Sequence, residues 1–108
     1  MFYERRYSIE VMPMAKSILQ TEKVCYITGS TDNIHEHHCI YGRGLRKLSE
    51  KYGLKIYLRA DWHNMADYGV HFDKQLDLQI KQMAQRKAME HYGWSVEQWI
   101  KIFGKNYL

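Results

Sequence analysis

Five of the six histidines fall between His35 and His71, and they fall in two groups. Three stand in the hexapeptide Ile34-His35-Glu36-His37-His38-Cys39. Two more lie in Asp61-Trp62-His63-Asn64 and Val70-His71-Phe72. Neutral imidazole is a borderline ligand that suits zinc, nickel and iron, and imidazoles set in pairs are poor core filling. A fold that accommodates them must bring two separated segments to one place. The pattern points to a compact metal site.

The segment between the groups adds a second constraint. Arg43, Arg46, Lys47, Lys51, Lys55 and Arg59 stand against one acid, Glu50, while the whole chain carries a formal charge of only +4. Such a stripe can neutralise several phosphates. In isolation it would read equally well as a solvated loop; flanked by histidines it reads as a polyanion surface beside the metal site. Arg43, Arg46, Lys47 and Lys55 are the expected nucleic-acid contacts, positioning a backbone without reading its sequence.

A chain of 108 residues is expected to form one domain. Its core is modest, and a bound metal would help to hold it. Two cysteines, Cys25 and Cys39, make no disulfide framework. Burial as small apolar groups is favoured for them over a zinc site shared with a histidine pair. No run approaches membrane-spanning length and no apolar signal core opens the chain, so a cytoplasmic protein without a membrane partner is expected. Residues 1–16 read as an N-terminal extension, with Met14 as an alternative start, and 17–108 as the domain.

Local signals outline an α+β fold. Lys23-Val-Cys-Tyr-Ile-Thr reads as a strand closed by a turn at Gly29. Leu45 to Tyr52 reads as a short helix ended by Gly53. Leu54 to Arg59 reads as a strand. Asp61 is the expected N-cap of a helical turn that holds His63, and Gly69 interrupts it. Asp73 caps a long helix with Leu76, Ile80, Met83 and Ala84 on its core face, ended by Gly93. Ser95-Val-Glu-Gln98 is a capping box, opening a last helix with Trp99, Ile102 and Phe103 on its inner side.

Strand, paired histidines, loop, strand and a helical turn with another histidine is the order of a ββα-metal motif. The chain resembles the small phage and prophage HNH-type endonucleases (His-Me finger, ββα-metal). The resemblance rests on Cys25-Tyr-Ile-Thr-Gly29, His35-Glu-His-His38, His63-Asn64 with Gly69-Val-His71-Phe72, and the ending Phe103-Gly-Lys-Asn-Tyr-Leu108. It spans roughly residues 17–108. Two departures stand out. The Asn that precedes the helix histidine in many such motifs is replaced, its slot falling on Leu54 and Lys55. Thr28 stands where many relatives carry the second Cys of a zinc knuckle, which excludes a four-Cys structural site.

The resemblance implies metal-dependent hydrolysis of DNA, by nicking, with RNA a further candidate substrate. It implies one divalent ion (Mg, Mn, Ni or Zn) held by His37 and His63, with His38 as general base. The third ligand is His71 on the resemblance. Asp67 is the alternative, because side chains four apart share a helix face. His35 and Asn64 are candidates for further ligands or for partners behind them, and His91 is read as structural or exposed. The second reading is a zinc-stabilised DNA-binding accessory protein that does not cut and works with phage or host recombination or packaging proteins. The missing Asn favours it.

Overall fold

In the computed structural model of the chain the described residues are 16–108. The expected extension over 1–16 and the alternative start at Met14 lie outside them, Lys16 excepted. Among the described residues the architecture is α+β, with one two-stranded antiparallel sheet and three α-helices. Strand β1 is Ile34–His38 and β2 is Lys55–Arg59. Helix α1, Leu45–Tyr52, connects them; α2, Lys74–Tyr92, and α3, Val96–Phe103, follow. A π-helical turn, Asp61–Met65, lies between β2 and α2.

The first strand is therefore Ile34–His38, within the histidine hexapeptide, and not Lys23–Thr28. Residues 23–28 have the β-branched and aromatic content of a strand, but their hydrogen bonds go elsewhere. Gly29 N–H returns to the Cys25 carbonyl at 2.7 Å and Cys25 N–H reaches Ser30 at 2.8 Å, closing a turn. Gly29 has φ 78°, which favours glycine. One ladder-like bond, Tyr26 N–H to the Tyr57 carbonyl, is left against β2.

The register pairs His35 with Leu58, His37 with Ile56 and His38 with Lys55. Residues opposite one another share a face of an antiparallel pair, and alternate residues face opposite sides. His35 and His37 thus share a face with the buried Ile56 and Leu58, while Glu36 and His38 share the other with Lys55 and Tyr57. Helix α1 is fixed to the strand exit by buried Ser49, whose hydroxyl donates to the Ile40 carbonyl and accepts from Ile40 N–H. It ends at Gly53, in the left-handed region at φ 73°, where a Cβ would collide with the Lys16 carbonyl.

Two clusters make the core, and α2 runs along both. Ile80 and Ala84 pack with Cys25, Cys39, Ile56, Leu58 and Val70. Ala88 packs with Ile40, Leu54, Trp99 and Phe103. Both cysteines are buried, as expected, and Cys25 Sγ also accepts from Thr28 N–H at 3.4 Å. The Asp73 carboxylate accepts from Gln75 and Leu76 N–H at the start of α2, and the Ser95–Gln98 capping box opens α3, both as the sequence predicts. Among the described residues no helix is long and apolar enough to cross a membrane.

The C-terminal tail is anchored by a polar residue on the buried side of α2. Gln85 donates to Asn106 Oδ1 and accepts from Tyr107 N–H, each at 2.8 Å. Trp99 Nε1 donates to the Lys105 carbonyl. Removing a buried hydrogen-bonding partner costs about 1–3 kcal/mol. Gln85→Leu is expected to lower stability by that amount in urea unfolding; an unchanged midpoint would mean that the tail is not anchored this way.

Candidate metal centre

Three segments build the site. β1 presents His35 and His37 on its inner face. The π-helical turn starts directly after β2 and carries His63; such widened turns recur at functional sites. The chain then reverses and lays His71 alongside. Val70 N–H donates to the Trp62 carbonyl at 2.7 Å and His71 N–H to the His63 carbonyl at 3.2 Å. Gly69 makes this reversal. A Cβ there would lie 2.8 Å from the Asp61 carbonyl and 3.0 Å from those of His63 and Ala66, so a side chain has no room.

Asp61 does not cap this turn as expected. Its carboxylate is held by Arg59 through a two-pronged contact, Nε to Oδ1 at 2.7 Å and the second nitrogen to Oδ2 at 2.9 Å, and by the Tyr68 hydroxyl at 2.6 Å. Hydrogen bonds from Arg59 and then Tyr68 keep its carboxyl well below the usual range. The pairing braces the base of the turn.

The ring nitrogens of His37, His63 and His71 lie within 4.8 Å of one another. His63 Nε2 and His71 Nε2 are 3.1 Å apart. Two nitrogens on one tetrahedral zinc, each about 2.1 Å from it, would be about 3.4 Å apart. His63 Nδ1 meets His35 Nδ1 at 2.9 Å, so His35 stands behind His63 and fixes its ring, as partners of metal-ligating histidines do. His37 is 1% exposed and its Nε2 has no hydrogen-bond partner. Among the described residues this is the one buried side-chain nitrogen or oxygen so placed. Buried polar groups are almost always satisfied, and one aimed among other imidazoles fits a ligand's role.

Burial first, then the nearby His63, His71, His38 and Lys81, pushes the His37 imidazole from 6.5 down to about 3. Burial, then His71, His35 and His38, pushes His63 to about 4. Both rings are neutral at pH 7, the form that binds metal.

His38 ends β1 on the opposite face from His37, yet both line one open cleft of about 330 Å³ with Glu36, Tyr41, Gly42, Arg46, His63 and His71. His38 Nε2 meets Glu50 Oε1 at 2.7 Å. Arg46 Nε lies 3.4 Å from His38 Nδ1. Glu36, His38 and Glu50 form a second group of suitable spacing. Lys55 already supplies its cation, with Nζ 2.7 Å from Glu50 and 3.3 Å from Glu36.

His35, His37, His38, His63 and His71 thus converge on one place, with Arg46 at its edge. Asp67 does not join them. The helical turn stops at Met65 and Ala66 is extended, so the four-residue spacing from His63 carries no shared face. Asn64 and Asp67 are exposed and line a separate depression beside Phe72. Lys55 is corrected as a nucleic-acid contact: it is 3% exposed and its charge is spent on Glu50 and Glu36. Arg43 and Lys47 are exposed, as is His91 on α2. Tyr41 and Glu50 went unforeseen. Glu50 had a signal, as the lone acid of the basic stripe; Tyr41 had none.

Comparison with protein-family models, curated proteins and solved structures gives no match to this chain.

Two outcomes follow from the geometry. The folded-state values of His37 and His63 are depressed, so below pH 6.5 the unfolded chain takes up protons that the native rings refuse. Their contribution is complete above 6.5 and is lost as pH falls toward 4 and then 3. Denaturation of the metal-free protein at pH 7.5, 6 and 5 should show falling stability, and a flat profile would contradict the burial of these rings. Gly69→Ala should cost about 1–3 kcal/mol, as overpacking does, and weaken uptake of Zn²⁺ or Ni²⁺. Calorimetric titration equal to wild type would show that the reversal tolerates a side chain.

Proposed function

We propose that the chain is a metal-dependent endonuclease of the ββα-metal, HNH-like type, hydrolysing phosphodiester bonds of DNA by nicking, in a phage or prophage setting. The observation that carries this reading is the unpartnered, buried His37 Nε2 beside His63 and His71, with His38 opening into the same cleft. The sequence resemblance supports it independently of the geometry.

His37, His63 and His71 would hold one divalent ion, Mg, Mn, Ni or Zn. When bound, such an ion supplies a charge sink for the phosphate and for the leaving oxygen. The chain's own groups do the rest. His38 takes the proton from the attacking water, because imidazole is matched to proton transfer near neutral pH. Arg46, at the rim, holds a phosphate oxygen next to that base. Exposed Arg43 and Lys47 extend the contact along the backbone without reading bases. His35 keeps the His63 ring in place.

A second reading has its own observation. Lys55 stands in the slot of the missing Asn and pairs directly with His38 across the ladder. A protein that holds zinc and DNA but does not cut would dispense with that Asn.

Plasmid nicking with Mg²⁺, Mn²⁺, Ni²⁺ or Zn²⁺ separates the two. Wild type should nick with at least one of them. His38→Ala should lose about 10²–10⁴-fold in rate, the usual share of a general base, while keeping metal content and DNA affinity. Loss of metal from His38→Ala would make His38 a ligand. No nicking by wild type with any of the four would leave the accessory protein.

A further inference from the structure

We propose that Glu50, tethered by Lys55, is the positioning residue of the cleft, fixing the His38 ring with Nε2–H toward the carboxylate and Nδ1 toward the cleft. The consequence for catalysis rests on the reading of His38 as the general base; the orientation itself does not.

Both carboxylate oxygens of Glu50 are engaged. Oε1 meets His38 Nε2 at 2.7 Å and Oε2 meets Lys55 Nζ at 2.7 Å. His38 and Lys55 are opposite one another in the ladder, so Glu50 spans a single rung from above. The Lys55 ammonium is buried, and a buried charge left without its partner is strongly unfavourable. Lys55 therefore keeps Glu50 where it stands. Buried Ser49, the neighbouring residue, ties α1 to Ile40 as well.

The chemistry of the carboxylate decides the direction of the ring. Burial alone would raise the Glu50 carboxyl, but hydrogen bonds from Lys55 and His38 outweigh it and hold the group low, hence ionised. An ionised carboxylate can only accept. His38 Nε2 must then be the donor, and a neutral ring keeps its lone pair on Nδ1. That atom accepts from Arg46 Nε–H at 3.4 Å, a long contact that a phosphate bound by Arg46 would release, leaving the lone pair for water. Arg46 and Glu50 are four residues apart and share a face of α1. One helix face thus carries the group that orients the base and the group that receives the phosphate. The arrangement of a nucleophile's base held by a third group recurs wherever water or a hydroxyl is activated.

The test uses the full chain labelled with ¹⁵N, reading the His38 ring nitrogens by long-range correlation, together with single-turnover cleavage in the metal that supports nicking. Wild type should show one tautomer, with the proton on Nε2. Glu50→Ala should give mixed tautomers, fully so with Arg46→Ala, whose Nε–H otherwise still donates to Nδ1, and slow cleavage about 10–100-fold, the scale for orienting partners of histidines, with DNA affinity not weakened. In a His38→Ala background Glu50→Ala should cause no further loss, since residues acting as a unit are not additive; a general structural role would slow both backgrounds alike. Because Glu50→Ala strands the Lys55 ammonium, Glu50→Ala/Lys55→Met serves where the single variant does not fold. A proton on Nδ1 in wild type, an unchanged tautomer in the variants, or a further loss in the His38→Ala background would overturn the proposal. If wild type cleaves nothing, the nuclease reading falls and the ring-nitrogen measurement still decides the tether.

Discussion

Five residues of β1 lie against five of β2, and a slip by one position would exchange the face of every histidine on β1. Two features pin the register. Ile56 and Leu58 are buried on the face that also carries His35 and His37, so a slip would trade them for Tyr57 and Arg59. On the other face, Lys55 finds two carboxylates from β1 and α1 at once. Backbone bonds continue beyond both ends of the ladder, Cys39 N–H to the Leu54 carbonyl and Ala60 N–H to the Asn33 carbonyl. The cleft inherits its contents from this pairing.

Helix α2 supports the cleft from behind Tyr41, which lines it. Tyr41 leans on His71 with ring centroids 4.9 Å apart and donates its hydroxyl to Asp77 Oδ1 at 3.0 Å. Lys81 pairs with Asp77 at 2.8 Å and lies 4.6 Å from the centre of the Tyr41 ring. The imidazoles meet edge to face, His37 with both His63 and His71 at 5.2 Å. Such contacts are modestly attractive. They fill the space around a nitrogen that a hydrocarbon wall would leave worse off.

The helices were the legible part of the fold. Asp73, Gly93 and the Ser95–Gln98 box act on the backbone next to them, so their meaning is local. The strands were harder. β1 reads His-Glu-His-His and offers no apolar alternation, because the residues it turns inward are themselves polar. Lys23–Thr28 has strand composition, but its amides close a turn at Gly29 and leave one bond, from Tyr26, to β2. In the candidate site, residue types suggested which histidines to gather, and the backbone reversal at Gly69 explains why His71 rather than Asp67 joins them. Lys55 and Glu50 could not be read alone. A lysine looks solvent-exposed until the acids that neutralise it are located, and one of those acids comes from another element.

The reversal at Gly69 also bears on how the site assembles. His63 and His71 belong to one short loop laced by its own amide bonds, and closing a short loop costs little chain entropy. Two corners of the trio are thus local to one loop. Only His37 must arrive from a distance, carried by β1. An ion held by all three would staple the loop to the sheet, cross-linking two segments of a small domain that has no disulfide among its described residues. The centre would then serve as a clasp on the fold as well as a place for chemistry.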